Sequence, residues 1–252
     1  MADGAAVAVV TGAGGGLGGA IATEFAAQGH VVVVADVNEA AALSTVEAIT
    51  RQGGRAHVCR VDVTDPDQVA AAAGHVVDTY GGLDVLVNAA GIQYQCPSLE
   101  LTPADYARVL NVNLHGTVYW CLAAGRHMVG HGGGVIINIS SVASEFAWPR
   151  RMPYSASKAG VAAVTRSLAV EWAPHNVRVV AIAPGMFATA MWTTALRLGH
   201  LKREAVLSEI PQARMGDPVE VARLAVYLAS PAAAYITGQE IRIDGGWSVF
   251  KM

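Results

Sequence analysis

Cysteine is scarce in this chain: the three present, Cys59, Cys96 and Cys121, are odd in number and widely spaced. That excludes a disulfide framework and offers no zinc-ligand spacing; it fits a reducing compartment, so a cytoplasmic location is expected. Charge is scarce too. Only 15% of residues are Asp, Glu, Lys or Arg, and their formal sum is −3. The 17 basic residues are scattered among 20 acids, which leaves no basic stripe and argues against a nucleic-acid partner. No apolar run approaches the roughly 18 residues of a bilayer span, and MADGAAVAVVTG lacks a basic n-region, so neither membrane nor export is expected. The histidines are spread out, and no metal site is expected.

Apolar residues, by contrast, make up 53% of the chain. That is too many for disorder and suggests elements buried on both faces, or helices buried in an oligomer. A length of 252 residues suits one large α/β unit, so a single domain over 1–252 is expected.

Short β-branched runs alternate with helical patterns. Strands are expected at 5–12, 30–36, 56–63, 83–91, 134–141, 177–185 and 240–246, most of them continuously apolar. Helices are expected at 17–28, 39–52, 67–80, 103–129, 155–173 and 218–229, several announced by Asp-Pro or Thr-Pro. This alternation predicts a doubly wound parallel sheet of about seven strands with helices on both faces. The long irregular stretch 186–217 is read as a substrate-binding loop.

The first strand runs into TGAGGGLGG, residues 11–19, and then a helix. Glycines at 12, 16 and 18 allow a tight turn and let backbone N–H groups approach a pyrophosphate at the helix N-terminus; Gly14 and Leu17 belong to the same turn. Asp36 ends the second strand 18 residues beyond Gly18, close to the spacing expected of an acid that bonds a ribose 2′-hydroxyl. No Lys or Arg precedes Arg51, so this part of the chain holds no partner for a 2′-phosphate, and NAD is expected over NADP.

TGAGGGLG, Asp62-Val63, NAAG at 88–91, Asn113 in NVNLHGT, Ser141 in INISS, YSASK at 154–158, Pro184-Gly185 with Thr189, and ITGQEIRIDGG occur in this order. Together they resemble the classical short-chain dehydrogenases/reductases over nearly the whole chain. The resemblance implies a Rossmann-like fold and hydride transfer between NAD and a secondary alcohol. It makes Tyr154 the general acid/base and Ser141 the holder of the substrate oxygen. Lys158 would bond the nicotinamide ribose, and Asn113 would hold a water linking Lys158 to solvent. Asn88, Ala90 and Gly91 would approach the cofactor through backbone, Asp62 and Val63 would flank the adenine, and Thr189 would meet the carboxamide. Two positions depart from the family pattern. Ala89 stands where a second Asn is common, which weakens a hydrogen bond between strands, and Val180 stands where RVNAI is usual.

Tyr154 and Lys158 are four residues apart, so on a helix they share a face with Cβ atoms roughly 5–6 Å apart. An ammonium beside a phenol favours the phenolate, typically by roughly 1–3 pKa units for a close pair. A base useful near neutral pH is therefore expected. Read singly, Ser141 competes with Ser140 and Asn113 with Asn111.

Substrate recognition is expected from 144–152 and 186–217, with Trp148, Met186, Met191 and Trp192 as apolar walls or, alternatively, plain core. Arg150 and Arg151, with Arg197, Lys202 and Arg203, raise an anionic substrate beside a neutral alcohol, polyol or sugar; a solvated surface is the ordinary reading of such residues. Apolar helices at 103–129 and 155–173, and Trp247 and Phe250 near the C-terminus, predict a homotetramer. Two other functions are weighed: an NADPH-dependent 3-oxoacyl-thioester reductase, disfavoured by Asp36, and a non-catalytic dinucleotide sensor, disfavoured by the intact Ser141, Tyr154, Lys158 and Asn113.

Overall fold

β-Branched residues tolerate the extended backbone best where both faces of a strand are covered. The computed structural model, which describes residues 4–189 and 203–250, places seven strands where such runs occur: β1 Val7–Thr11, β2 Val31–Asp36, β3 Arg55–Arg60, β4 Val85–Asn88, β5 Gly134–Ile139, β6 Val177–Pro184 and β7 Glu240–Ile243. They form one sheet in the order β3-β2-β1-β4-β5-β6-β7, and every pair is parallel. The doubly wound parallel sheet expected from the alternation is observed. Residues 56–63 leave the sheet early, at Arg60.

The chain steps outward from β1 to β3, then returns across β1 to place β4 on its other side. That reversal opens a crevice at the carboxyl ends of β1 and β4, where Thr11 pairs with Asn88. One apolar layer, including Ile21, Phe25 and Leu228, fills the space between the sheet and the helices α1 Gly16–Ala27, α2 Glu39–Arg51 and Pro218–Ala229. The other, including Trp120, Met128 and Trp172, lies under α3 Pro66–Tyr80, α5 Gly116–Gly130 and α6 Met152–Trp172. Full burial of a side chain such as Phe25, at 0% exposure, contributes roughly 2–3 kcal/mol.

Side-chain caps start several helices: Asn38 accepts from Ala41 N–H, Asp65 from Asp67 and Gln68, Thr102 from Asp105. Asp217 and Glu220 complete a capping box for Pro218–Ala229. No side chain caps α1, α5 or α6.

The helix expected over 103–129 is interrupted. α4 Pro103–Leu110 and α5 are joined by a π-helical turn, Asn111–His115. Gly116 begins α5 against Val63, whose Cγ2 would lie 2.8 Å from a Cβ at that position, and the wide turn delivers Asn113 to the strand ends. Such turns cluster at functional sites.

Trp247 corrects an expectation. It does not depend on a partner for cover, being 4% exposed among Val142, Met186, Val206 and Ile210, edge-on to Phe146 and 5.0 Å from the Trp148 ring. Phe250 is 61% exposed. Within 186–217 the described residues include the short helix Arg203–Leu207 and a bridge from Phe187 to Gly216. Met191, Trp192, Arg197 and Lys202 lie outside the described residues. Among described residues no helix is long and apolar enough to cross a membrane.

Candidate active site

The glycine turn between β1 and α1 divides by what each glycine faces. Gly12 has φ 63°, and a Cβ there would lie 2.6 Å from Ala90 Cα; at Gly18 it would lie 2.3 Å from Gly12 O. Those two are demanded by close backbone packing. A Cβ on Gly15 or Gly16 would meet nothing within 4 Å. The uncapped first turn of α1 therefore opens onto space, with its N–H groups and positive dipole end directed there.

Asp36 is held from both sides. Its Oδ2 accepts from Gly14 N–H at 2.8 Å and its Oδ1 from Asn38 N–H at 2.9 Å. A Cβ on Gly14 would lie 2.8 Å from that Oδ2, so Gly14 seats the carboxylate and does not line the cavity.

After β4 the chain is tied down by Thr11, whose Oγ1 accepts from Ala89 and Ala90 N–H at 3.1 and 3.2 Å. Backbone donors make this link, so Ala89 needs no side-chain amide for it. Asn88 points away, donating to Asn138 Oδ1 at 2.9 Å, and Asn138 donates to Thr165 Oγ1 at 2.9 Å. Asn113, fully buried, accepts from Ile92 N–H at 2.8 Å and donates to Ile92 O and Ser157 Oγ, both at 3.0 Å. Asn111 instead pairs with His115 at the exposed surface.

The two serines after β5 separate cleanly. Ser140 Oγ donates to Lys158 O at 3.3 Å, inside the protein, whereas Ser141 hydrogen-bonds the Tyr154 hydroxyl and accepts from Ala143 N–H at 3.1 Å. α6 begins at Met152, earlier than its periodicity suggests, so Tyr154 and Lys158 occupy its first two turns. Lys158 Nζ donates to Ile139 O at 2.7 Å and lies 5.7 Å from the Tyr154 ring centre.

Burial raises the Tyr154 pKa, against hydrogen bonds from Ser141 and Gln93 and the charge of Arg151, which lower it. The depressed value expected from Lys158 is not found: loss of hydration outweighs the donors, and the nearby cation that acts is Arg151. Burial brings Lys158 down to about 8.

These groups surround one cavity of about 500 Å³ at the carboxyl ends of the central strands. It brings together Gly12, Gly16, Leu17, Gly18, Asp36, Asp62, Val63, Ala90, Gly91, Pro184, Gly185 and Thr189 with Ser141, Tyr154, Lys158, Trp148 and Arg151. Gly14, Asn88, Asn113, Arg150 and Met186 do not line it. Met186 is 8% exposed in the apolar cluster with Trp247, so its core reading holds; Arg150 is exposed on the outer surface. Sequence reasoning missed Gln93, Thr11 and Ser157. Gln93 follows the NAAG run by only one residue, but nothing in its type marks it as a partner of Tyr154.

A family model described as Enoyl-(Acyl carrier protein) reductase matches residues 12–248. The chain is 43% identical to short-chain reductase protein NovJ of Streptomyces niveus, covering 95% of this chain and 93% of that protein. It is 39% identical to D-threitol dehydrogenase of Mycolicibacterium smegmatis, covering 96% of each. A crystal structure of a putative short-chain alcohol dehydrogenase from Sinorhizobium meliloti 1021 superposes with TM-score 0.93 at 39% identity, covering 99% and 98% of the two chains. Similar folds have been solved with either dinucleotide: a 7α-hydroxysteroid dehydrogenase with NADH (34% identical, TM-score 0.91, 96% and 93% covered) and a gluconate 5-dehydrogenase from Burkholderia cenocepacia J2315 with NADP and tartrate (33%, 0.91, 99% and 96%). The chain belongs to the short-chain dehydrogenase/reductase family. It is an oxidoreductase of that class, whose members bind a nicotinamide cofactor.

Proposed function

We propose that the protein is an NAD-dependent dehydrogenase of secondary alcohols, among them polyols, sugars and hydroxy acids. The observation that carries this reading is that Ser141, Tyr154 and Lys158 line the same cavity as the glycine turn.

The residues fit a dinucleotide. Open space at Gly15 and Gly16 beside the uncapped start of α1 suits a pyrophosphate. Asp36 would take the adenosine ribose, with Asp62 and Val63 beside the adenine, and Ala90, Gly91, Pro184, Gly185 and Thr189 toward the nicotinamide. A carboxylate at Asp36 repels a 2′-phosphate, and the exposed Val37 next to it supplies no cation, which supports NAD over NADP. The bound nicotinamide supplies a hydride acceptor for the carbinol carbon.

The remaining steps belong to the chain. Ser141 hydrogen-bonds the substrate oxygen and orients it. Tyr154 takes the hydroxyl proton as its phenolate, a form that burial disfavours and that Ser141, Gln93 and Arg151 favour, leaving a carbonyl; in the reverse direction it returns that proton. Lys158 orients the nicotinamide ribose and supports proton exit. Asn113 holds the loop carrying Ile92 and Gln93, and the proton relay past Lys158 to solvent runs beside it. Residues 186–217 serve as the substrate loop of a single domain, and Trp148 as an apolar wall. Scarce, unpaired cysteine supports a cytoplasmic location, and exposed Val170, Leu122 and Phe250 support a homotetramer; a monomer in sedimentation at micromolar protein would refute the assembly.

The test is the initial rate of NADH formation against a panel of secondary alcohols, polyols, sugars and hydroxy acids, with Tyr154→Phe as control. Turnover that survives in the control would overturn the reading. Preference for NADPH with 3-oxoacyl thioesters would favour the reductase reading, and NADH binding without any turnover the sensor.

A further inference from the structure

The cavity is polarised along its length. The acids lining it, Asp36 and Asp62, lie at the end of β2 and just after β3, whereas the cations lining it, Arg151 and Lys158, belong to the start of α6. Asp36 ends β2 and Ser141 follows β5, three strand spacings away in the sheet order, or about 14 Å. Both acids are bound by donors of the chain: Asp36 as above, and Asp62 by the Thr64 N–H at 2.9 Å and hydroxyl at 2.8 Å. Among the described residues, no carboxylate lines the cavity beside Tyr154.

Arg151 is built into that end. Arg150 adopts a left-handed backbone, φ 67°, and its carbonyl accepts from Cys96 N–H at 2.9 Å. This turn leaves Arg150 at the surface and brings the next residue to the cavity. The Arg151 guanidinium lies over the Trp148 ring, 4.9 Å from its centre. The Gln95 amide, with its oxygen toward the guanidinium, accepts from Nε at 3.3 Å and Nη2 at 2.9 Å. Arg151 stands one helical turn before Tyr154, on the same side of α6, and its charge acts on the phenol. An aromatic face and an amide thus hold the plane of a guanidinium in a substrate cavity.

We infer that Arg151 determines specificity for a carboxylate on the substrate, so that the substrate is a hydroxy acid with its carboxylate within a few carbons of the carbinol. This rests on the dehydrogenase reading above. A planar fork matches a planar carboxylate bidentately. A phosphate dianion calls for further cationic or N–H donors, and the other cation lining the cavity, Lys158, is assigned above to the nicotinamide ribose. The carbinol C–H bond breaks with its electron pair passing as hydride to the dinucleotide, the O–H proton passes to Tyr154, and the product is the oxo acid with its carboxylate unchanged.

The test pairs 2- and 3-hydroxy acids with their methyl esters. Binding is read by calorimetry in the presence of NADH, and kcat/KM for each pair is read separately, for the wild type, Arg151→Gln, Arg151→Lys and the surface control Arg150→Gln. In the wild type and the control, at least one acid should be preferred over its ester by roughly 10- to 100-fold, the loss typical of one charged hydrogen-bond partner. That preference should vanish in Arg151→Gln and fall to an intermediate value in Arg151→Lys. Equal binding of every acid and its ester by the wild type, or a preference that survives Arg151→Gln, overturns the inference. Turnover of esters without acids would do so while leaving the dehydrogenase reading intact, whereas turnover that survives Tyr154→Phe strikes that reading and with it the inference that rests on it.

Discussion

Asn113, from a π turn between two helices, grips both backbone groups of Ile92: its Oδ1 accepts from the N–H at 2.8 Å and its Nδ2 donates to the carbonyl at 3.0 Å. One amide thereby fixes the loop that carries Gln93 to Tyr154. Asn113→Ala would leave a half-buried N–H and carbonyl unpaired and is expected to cost roughly 1–3 kcal/mol. Denaturant unfolding checks this, and kcat should fall together with stability because Gln93 loses its anchor.

Removing the proton acceptor should affect chemistry and not the fold. Tyr154→Phe is expected to lower kcat by roughly 10²- to 10⁴-fold while the dinucleotide dissociation constant, read by fluorescence titration, changes little.

Gln93 lowers the Tyr154 pKa by hydrogen bonding. Gln93→Leu should therefore move the rising limb of the kcat profile for alcohol oxidation to higher pH, because the phenolate forms later. A limb that stays in place would show that Gln93 does not act on Tyr154 in the working enzyme.

Two glycines of one turn should behave oppositely. Gly18→Ala places a methyl 2.3 Å from Gly12 O and should lower the melting temperature sharply. Gly15 is extended, φ 167°, and open, so Gly15→Ala should keep its melting temperature while the methyl intrudes on the pyrophosphate site and raises the dinucleotide Kd.

Lys158, 5% exposed, has its pKa lowered from 10.5 to about 8 by burial. The folded state binds fewer protons than the unfolded state between those values, so stability rises with pH across that window. Relative to Lys158→Met, wild-type stability should increase by about 3 kcal/mol from pH 7 to pH 10.5. Chemical denaturation of both proteins across this range measures it.

Much of this could be read along the chain. β-Branched runs specify strands locally, and each found its place; the TGAGGGLGG turn needs only its glycines to approach its own backbone, and Asp36 needs only to end β2. Tyr154 and Lys158 share a helix face by their spacing alone. Long-range packing decided the rest. The helical pattern of 103–129 could not reveal the π turn, because that turn depends on Val63 and Ile92, distant in sequence, meeting Gly116 and Asn113. Nor could it choose Ser141 over Ser140, Asn113 over Asn111 or Arg151 over Arg150, since neighbouring residues of one type differ only in the direction the folded backbone gives them. Trp247 looked exposed near the chain end because Phe146 and Trp148, which cover it, come from another loop. The Tyr154 pKa rose, contrary to the spacing argument, because spacing counts the neighbouring charge but only the tertiary structure removes the water.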